Sequence, residues 1–166
     1  MRSNVLKPTY LYNLVTIYTD GASSGNPGPG AYAVILQYNN HSKELVQAFR
    51  KTTNNRMELW AVIAGLEALK KEKQQVAIYS DSRYVIDAVE KGWLETWIKK
   101  DFKGKKNSDL WKRFWSIYKK HLVRLQWVKG HAGNLYNERC DQLATNHIRT
   151  GPFDIDQVYE SGESGP

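Results

Sequence analysis

Cysteine occurs once in this chain of 166 residues, as Cys140. A single thiol excludes a disulfide framework, a Cys-x-x-Cys redox motif and a thiolate zinc site, and it fits a reducing cytoplasm. Long apolar runs are missing as well. No stretch approaches the ~20 apolar residues of a membrane span, and the opening MRSNVLKPTYLYN has no apolar segment followed by a small-residue cleavage site. Neither membrane insertion nor secretion is expected. Basic side chains are absent from residues 151–166, which carry Asp154, Asp156, Glu160 and Glu163 among Gly and Ser. A segment of that composition has little apolar surface to bury, so most of it is expected to be flexible.

Aromatic and basic side chains are abundant elsewhere. With 41% hydrophobic residues, six Trp and ten Tyr, the chain has the material for one domain with a proper core. Its formal net charge is +7 even with the acidic tail included. That excess favours polyanionic partners, nucleic acid ahead of an anionic membrane surface.

Residues 14–21, LVTIYTDG, form a short β-branched and aromatic run closed by Asp-Gly, which predicts a strand ending at Asp20. After a Gly- and Pro-rich loop, residues 31–38 and 44–49 read as two further strands of an antiparallel meander. Thr52 to Glu58 opens a long helix with Thr and Asn as capping residues, and Leu59, Val62, Ile63, Leu66 and Leu69 keep helical spacing on one side. Glu58 falls in its first turn on this reading, where a carboxylate also suits the helix dipole. Residues 76–82 repeat the pattern of an apolar strand that ends in an aspartate, Asp81. Strand, helix, strand implies a right-handed crossover and a parallel neighbour. If that neighbour is the first strand, Asp20 and Asp81 emerge at one sheet edge, where open α/β sheets bind ligands. A short helix over 82–89, a basic stretch over 99–106, a helix over 107–121, a strand over 123–128 and a last helix over 134–148 complete the pattern. Residues 1–11 read as a flexible leader, 12–150 as the domain and 151–166 as the tail.

Four segments carry the chemistry: YTDG at 18–21, TTNNRMEL at 52–59, SDS at 80–82, and WVKGHAGNLYNERCDQLA at 127–144. In this order and combination they resemble the bacterial type 1 ribonuclease H family, from about residue 14 to 148. The resemblance implies an α/β ribonuclease H-like fold: a five-stranded mixed sheet, a three-strand antiparallel meander plus parallel strands, flanked by helices. It implies an endonuclease that hydrolyses the RNA strand of RNA/DNA hybrids with water as nucleophile, leaving 3′-hydroxyl and 5′-phosphate ends with little sequence specificity.

The family's four carboxylates match Asp20, Glu58, Asp81 and Asp141, which by resemblance hold two Mg²⁺ ions, with Mn²⁺ as a possible substitute. Phosphodiester hydrolysis places charge on the attacking and the leaving oxygen, and hard cations with oxygen ligands suit both. His131, between glycines in the KGHAG loop, matches an auxiliary histidine that serves proton transfer or product departure. Asn26, Asn54 and Asn55 match residues that read 2′-hydroxyls, the group that separates RNA from DNA. Thr53 and Asn107 match a grip on a DNA-strand phosphate, and Lys51 stands where the family carries arginine. Tyr84 and Trp97 match aromatics lining the DNA channel. Lys99, Lys100, Lys103, Lys105 and Lys106 match the basic protrusion, here near residues 91–107 and shorter than in the longest bacterial versions.

The expected partner is thus an RNA/DNA hybrid duplex, with no membrane, no obligate protein partner and a monomer in the cytoplasm. Two other readings make different demands. A non-cleaving hybrid-binding module predicts loss of a carboxylate, and all four are present. A DNA-processing nuclease on the same fold leaves TTNNRMEL and the protrusion unexplained.

Overall fold

Burial on both faces marks the central strand. A computed structural model of the chain describes residues 13–130 and 133–166; the leader expected over residues 1–11 and His131 lie outside the described residues. Strand β1, Leu14–Ser23, has Val15, Ile17, Thr19 and Gly21 buried on one face and Leu14, Thr16, Tyr18 and Asp20 half-buried on the other. It pairs antiparallel with β2, Gly28–Tyr38, which pairs antiparallel with β3, His41–Thr52. Helix α1, Asn54–Glu67, then crosses back to β4, Gln75–Ser80, which lies parallel to β1. Helices α2, Arg83–Glu90, α3, Trp93–Lys99, and α4, Ser108–Tyr118, lead to β5, Leu122–Trp127, parallel to β4. Helix α5, Leu135–Thr150, follows. The meander and the parallel strands are as expected.

Two expectations about this sheet are corrected. First, β1 does not stop at Asp20. Its ladder with β2 continues through Asp20–Ala33 to Ser23–Gly30, because Gly21 to Ser23 still find backbone partners on that side. On the other side the parallel ladder with β4 ends at Tyr18–Tyr79, so Asp20 and Asp81 each lie two residues past the same last rung. Second, the sheet has six strands, in the order β5-β4-β1-β2-β3-β6. The sixth, β6, Phe153–Asp154, belongs to the tail expected to be flexible, and it pairs parallel with β3.

The main core lies on the face covered by α1, α2 and α4. Helix α1 is enclosed nearly all round, with Met57, Leu59, Ala61, Val62, Ile63 and Leu66 fully buried. It comes so close to β1 at Gly65 that a Cβ there would lie 2.9 Å from Ile17 Cγ2. Leu69, assigned to its apolar stripe, falls beyond the helix end at Glu67. On the opposite face α5 sets Cys140 and Ala144 against Ala31, Ala33, Ile35 and Ala48, where small side chains allow a close approach. Burial pushes the Cys140 thiol up to about 12, so the lone cysteine is an inert packing residue.

Arg56 explains the ordered tail. Its guanidinium is fully buried and forms paired hydrogen bonds to Asp109, at 2.9 and 2.8 Å, and to Asp156, at 2.7 and 2.9 Å. Burial opposes the guanidinium charge, but these carboxylates outweigh it and hold Arg56 protonated above its ordinary value. Asp156 is itself buried, accepts a 2.8 Å hydrogen bond from Thr52 Oγ1 and caps the short helix α6, Gln157–Glu160. Ser164 carbonyl accepts from the Asn107 amide, and Gln47 Nε2 donates to Asp154 at 2.8 Å. One acidic residue of the tail, Asp156, neutralises a buried cation, a demand that composition alone does not express.

Removing one partner of a buried ion pair leaves the other charge uncompensated and costs about 3–5 kcal/mol. Asp156→Ala should lower the free energy of urea unfolding by that amount, and a loss under about 1 kcal/mol would show that the tail only rests on the surface.

Candidate active site

Each acidic side chain comes from a different element. Asp20 extends from β1 past the end of its parallel neighbour, Asp81 follows β4, Glu58 rises from α1, and Asp141 projects from α5. All four line one cleft of about 230 Å³ together with Asn54 and Gly130. Glu58 is not in the first turn of its helix as expected, because α1 begins only at Asn54, after the Thr53 cap. It stands in the second turn, so the helix dipole does not account for it and the cleft does.

Burial and neighbouring charge both act on Asp20 and Glu58. Burial, then the charges of Asp81 and Asp141, push Asp20 up to about 8 against the opposing hydrogen bond from its neighbour Gly21 N–H at 2.9 Å. Between its ordinary value and that one, the folded protein without cation holds a proton at Asp20 that the unfolded chain has released. The group's contribution to stability therefore fades as pH rises towards 8. Glu58 is raised by burial and by Asp81, while hydrogen bonds from Ser82 Oγ to Oε2 at 2.6 Å and from Asn54 Nδ2 to Oε1 at 3.1 Å pull the other way. Among the described residues, no three acidic, histidine or cysteine side chains draw in as tightly as ligands around a single ion. The four carboxylates offer only hard oxygen donors, which fits Mg²⁺ or Mn²⁺ and does not fit a soft metal.

Glycines give the backbone its close approaches. A Cβ on Gly21 would lie 2.3 Å from Met57 C and 2.4 Å from Glu58 N, so β1 touches the backbone of α1 between two acidic residues. On Gly130 a Cβ would meet Asp81 Oδ2 at 2.7 Å.

The remaining expected site residues fall into three groups. Asn26, Thr53, Asn54 and Asn55 gather where the glycine loop meets α1: Asn26 Oδ1 accepts from Asn54 N at 3.1 Å, and Thr53 Oγ1 accepts from Arg56 N at 3.2 Å. Lys51 is exposed beside them at the end of β3. Asn107 is buried, with its Oδ1 accepting from Arg56 Nη1 and its Nδ2 donating to Tyr84 Oη at 3.0 Å. Tyr84 Oη also accepts from Trp111 Nε1 at 2.9 Å. Buried Asn107 and half-buried Tyr84 thus belong to one hydrogen-bonded frame. Lys99, Lys100, Lys103 and Lys106 are exposed around α3 and the following turn. Lys105 is half-buried, its ammonium 3.8 Å from the Trp97 ring centre, and burial lowers its pKa. Phe102, buried in the left-handed region at φ 56°, anchors this protrusion to the core.

Two cleft residues, and Ser82 buried behind the cleft, were not singled out in the sequence. Asn137 and Glu138 line the cleft one turn before Asp141, so their spacing on a helix was the available signal. Ser82 had no such signal, since its bond to Glu58 joins residues 24 apart.

The family model described as RNase H matches residues 12–149. Ribonuclease H of Desulforamulus reducens is 55% identical over 135 residues, covering 78% of this chain and 84% of the relative. Ribonuclease H of Syntrophomonas wolfei is 50% identical over 141 residues, covering 82% and 97%. Among solved structures, LC9-RNase H1, a type 1 RNase H with the type 2 active-site motif, superposes with a TM-score of 0.76 at 29% identity, covering 90% of this chain and 80% of that one.

Gly21→Ala should push β1 away from the start of α1 and cost at least about 2 kcal/mol of stability, by analogy with the overpacking of other cores. Denaturant unfolding measures this, and an unchanged midpoint would show that the Gly21 contact yields easily.

Proposed function

The chain belongs to the RNase H family, and on that premise we propose how its own residues perform the reaction. The protein is an endonuclease acting on RNA/DNA hybrids, and the family's reaction depends on divalent metal. The observation that carries the proposal is the convergence of Asp20, Glu58, Asp81 and Asp141, from four elements, on one cleft. These carboxylates would hold two Mg²⁺ ions, with Mn²⁺ able to substitute. Once bound, such ions supply charge for the attacking and the leaving oxygen of the RNA phosphodiester. Their binding would also release the proton that Asp20 retains, because a ligating carboxylate is ionised. Water is the nucleophile, and the products carry 3′-hydroxyl and 5′-phosphate ends. His131 serves as an auxiliary group for proton transfer or product departure.

Selection of RNA is assigned to Asn26, Asn54 and Asn55, whose amides lie at the junction of the glycine loop and α1 beside Glu58. The 2′-hydroxyl read there lies next to the phosphate to be cut, so recognition and cleavage share one edge of the cleft. On the DNA strand, Thr53 and Lys51 make the phosphate grip. The Thr53 oxygen already accepts from Arg56 N, which leaves its hydroxyl hydrogen to donate outward. Asn107 and Tyr84 support that grip from below. Trp97, with Lys99, Lys100, Lys103, Lys105 and Lys106, follows the backbone of the hybrid without reading bases. No helix among the described residues is long and apolar enough to cross a membrane. We place the enzyme in the cytoplasm, acting as a monomer without an obligate protein partner.

The direct test is incubation with a hybrid labelled on its RNA strand, with and without Mg²⁺, beside RNA and DNA duplexes. Mg²⁺-dependent cuts confined to the RNA of the hybrid are expected, and Asp20→Asn should lower the rate at least about 100-fold, on the scale of removing one charge-stabilising group from a transition state. Hybrid binding without cutting would point to a binding module, and cutting of DNA duplex to a DNA-processing enzyme. Replacing Lys103, Lys105 and Lys106 with Gln should weaken hybrid binding and reduce the slope of log K against log salt by about one unit for each phosphate no longer neutralised. An unaltered slope would make the protrusion a solvated face.

A further inference from the structure

Glu58 is held at both oxygens, but by bonds of different kinds. Oε1 accepts from Asn54, four residues earlier on the same helix, so that bond moves with α1 as a unit. Oε2 accepts from Ser82 Oγ at 2.6 Å, a bond that crosses from α1 to the segment joining β4 to α2. Ser82 immediately follows Asp81. The bond therefore sets where one acidic side chain of the cleft stands relative to the next.

Ser82 is well placed to keep its own position. It is buried, its amide donates to Ser80 Oγ at 3.1 Å, and its carbonyl accepts from Ile86 N at 3.1 Å. Its hydroxyl oxygen also accepts from Val85 N at 3.3 Å as the N-cap of α2. A backbone N–H can only donate, so it occupies an oxygen lone pair and leaves the single hydroxyl hydrogen for Glu58. Capping the helix thus fixes the direction in which Ser82 donates. Behind it, Val128 N bonds Ser80 O, and Trp127 Nε1 donates to Asp81 O at 3.2 Å, tying the same turn to β5.

We propose that Ser82 is a positioning residue for the metal site, holding the Glu58 carboxylate towards the cleft at a set distance from Asp81 before any cation arrives. The inference rests on the reading of the four carboxylates as metal ligands. Loss of an outer hydrogen bond to a ligating group lowers metal affinity or activity by about 10–100-fold, and this one is short, buried and charge-assisted.

The test compares Ser82→Gly with Ser82→Thr. Glycine is tolerated at an N-cap and removes the hydroxyl, whereas threonine keeps both the cap and the donor. Mg²⁺ binding is measured by calorimetry without substrate, thermal unfolding checks the fold, and kcat and KM for the hybrid are followed at several Mg²⁺ concentrations. Ser82→Gly should bind Mg²⁺ about tenfold more weakly. Its kcat should fall at low Mg²⁺ and recover at high Mg²⁺, with KM for the hybrid unchanged. Ser82→Thr should recover Mg²⁺ affinity. Wild-type Mg²⁺ affinity in a folded Ser82→Gly protein, or a folded Ser82→Thr protein as weak as the glycine variant, would reduce Ser82 to a helix cap. Asp81→Asn tells the two possible failures apart. If it leaves Mg²⁺ binding intact, the carboxylate reading itself fails; if it weakens binding while Ser82→Gly does not, only the role of Ser82 fails.

Discussion

A buried guanidinium must be surrounded by acceptors, and the demand of Arg56 organises much of this molecule. Its partners come from the first turn of α4, at Asp109, and from the tail, at Asp156, so one charge joins segments 53 and 100 residues away. Arg56 lies within α1 beside Asn54, Asn55 and Glu58, and the same network reaches Asn107 at the base of the basic protrusion. The start of α1, the root of the protrusion and the end of the chain are therefore held together. A cation there leaves those segments little freedom to move independently, because any separation strands a charge in a dry interior.

Beside this neutralised charge lies a cleft rich in carboxylates. Four carboxylates line the cleft, and burial, then the charges of Asp81 and Asp141, push Asp20 up to about 8. The chain as a whole is basic, with exposed lysines concentrated around α3. The two signs are kept apart by function: lysines attract a polyanionic duplex, while an acidic cleft repels its phosphates unless cations stand between. Hydrogen bonds from Ser82 and Asn54 keep Glu58 in place meanwhile.

Much of this was legible in the residues. Asp20 and Asp81 each follow a short apolar run, and that repetition, with the crossover between the two runs, led to a shared sheet edge. Glu58 and Asp141 were found through the TTNNRMEL and NERCDQLA motifs, not from periodicity. The tail was misread because composition reports what a segment could bury by itself. Asp156 is buried through a cation 100 residues away, which no local property reveals. Asn107 is buried for the same reason, since its polar bonds run to Arg56 and Tyr84.

By itself the sequence determined the first five strands, the longer helices and the order of the acidic residues, because alternation, helical spacing and capping are local properties of neighbouring side chains. Only the tertiary structure decided how those residues meet. That β1 outlasts its parallel partner by the length needed to bring Asp20 level with Asp81 depends on ladders made with two different neighbours. That Ser82 donates to Glu58 depends on a helix packing at backbone contact with Gly21. Such distances are set by close packing between elements remote in the chain, and close packing is a property of the assembled core.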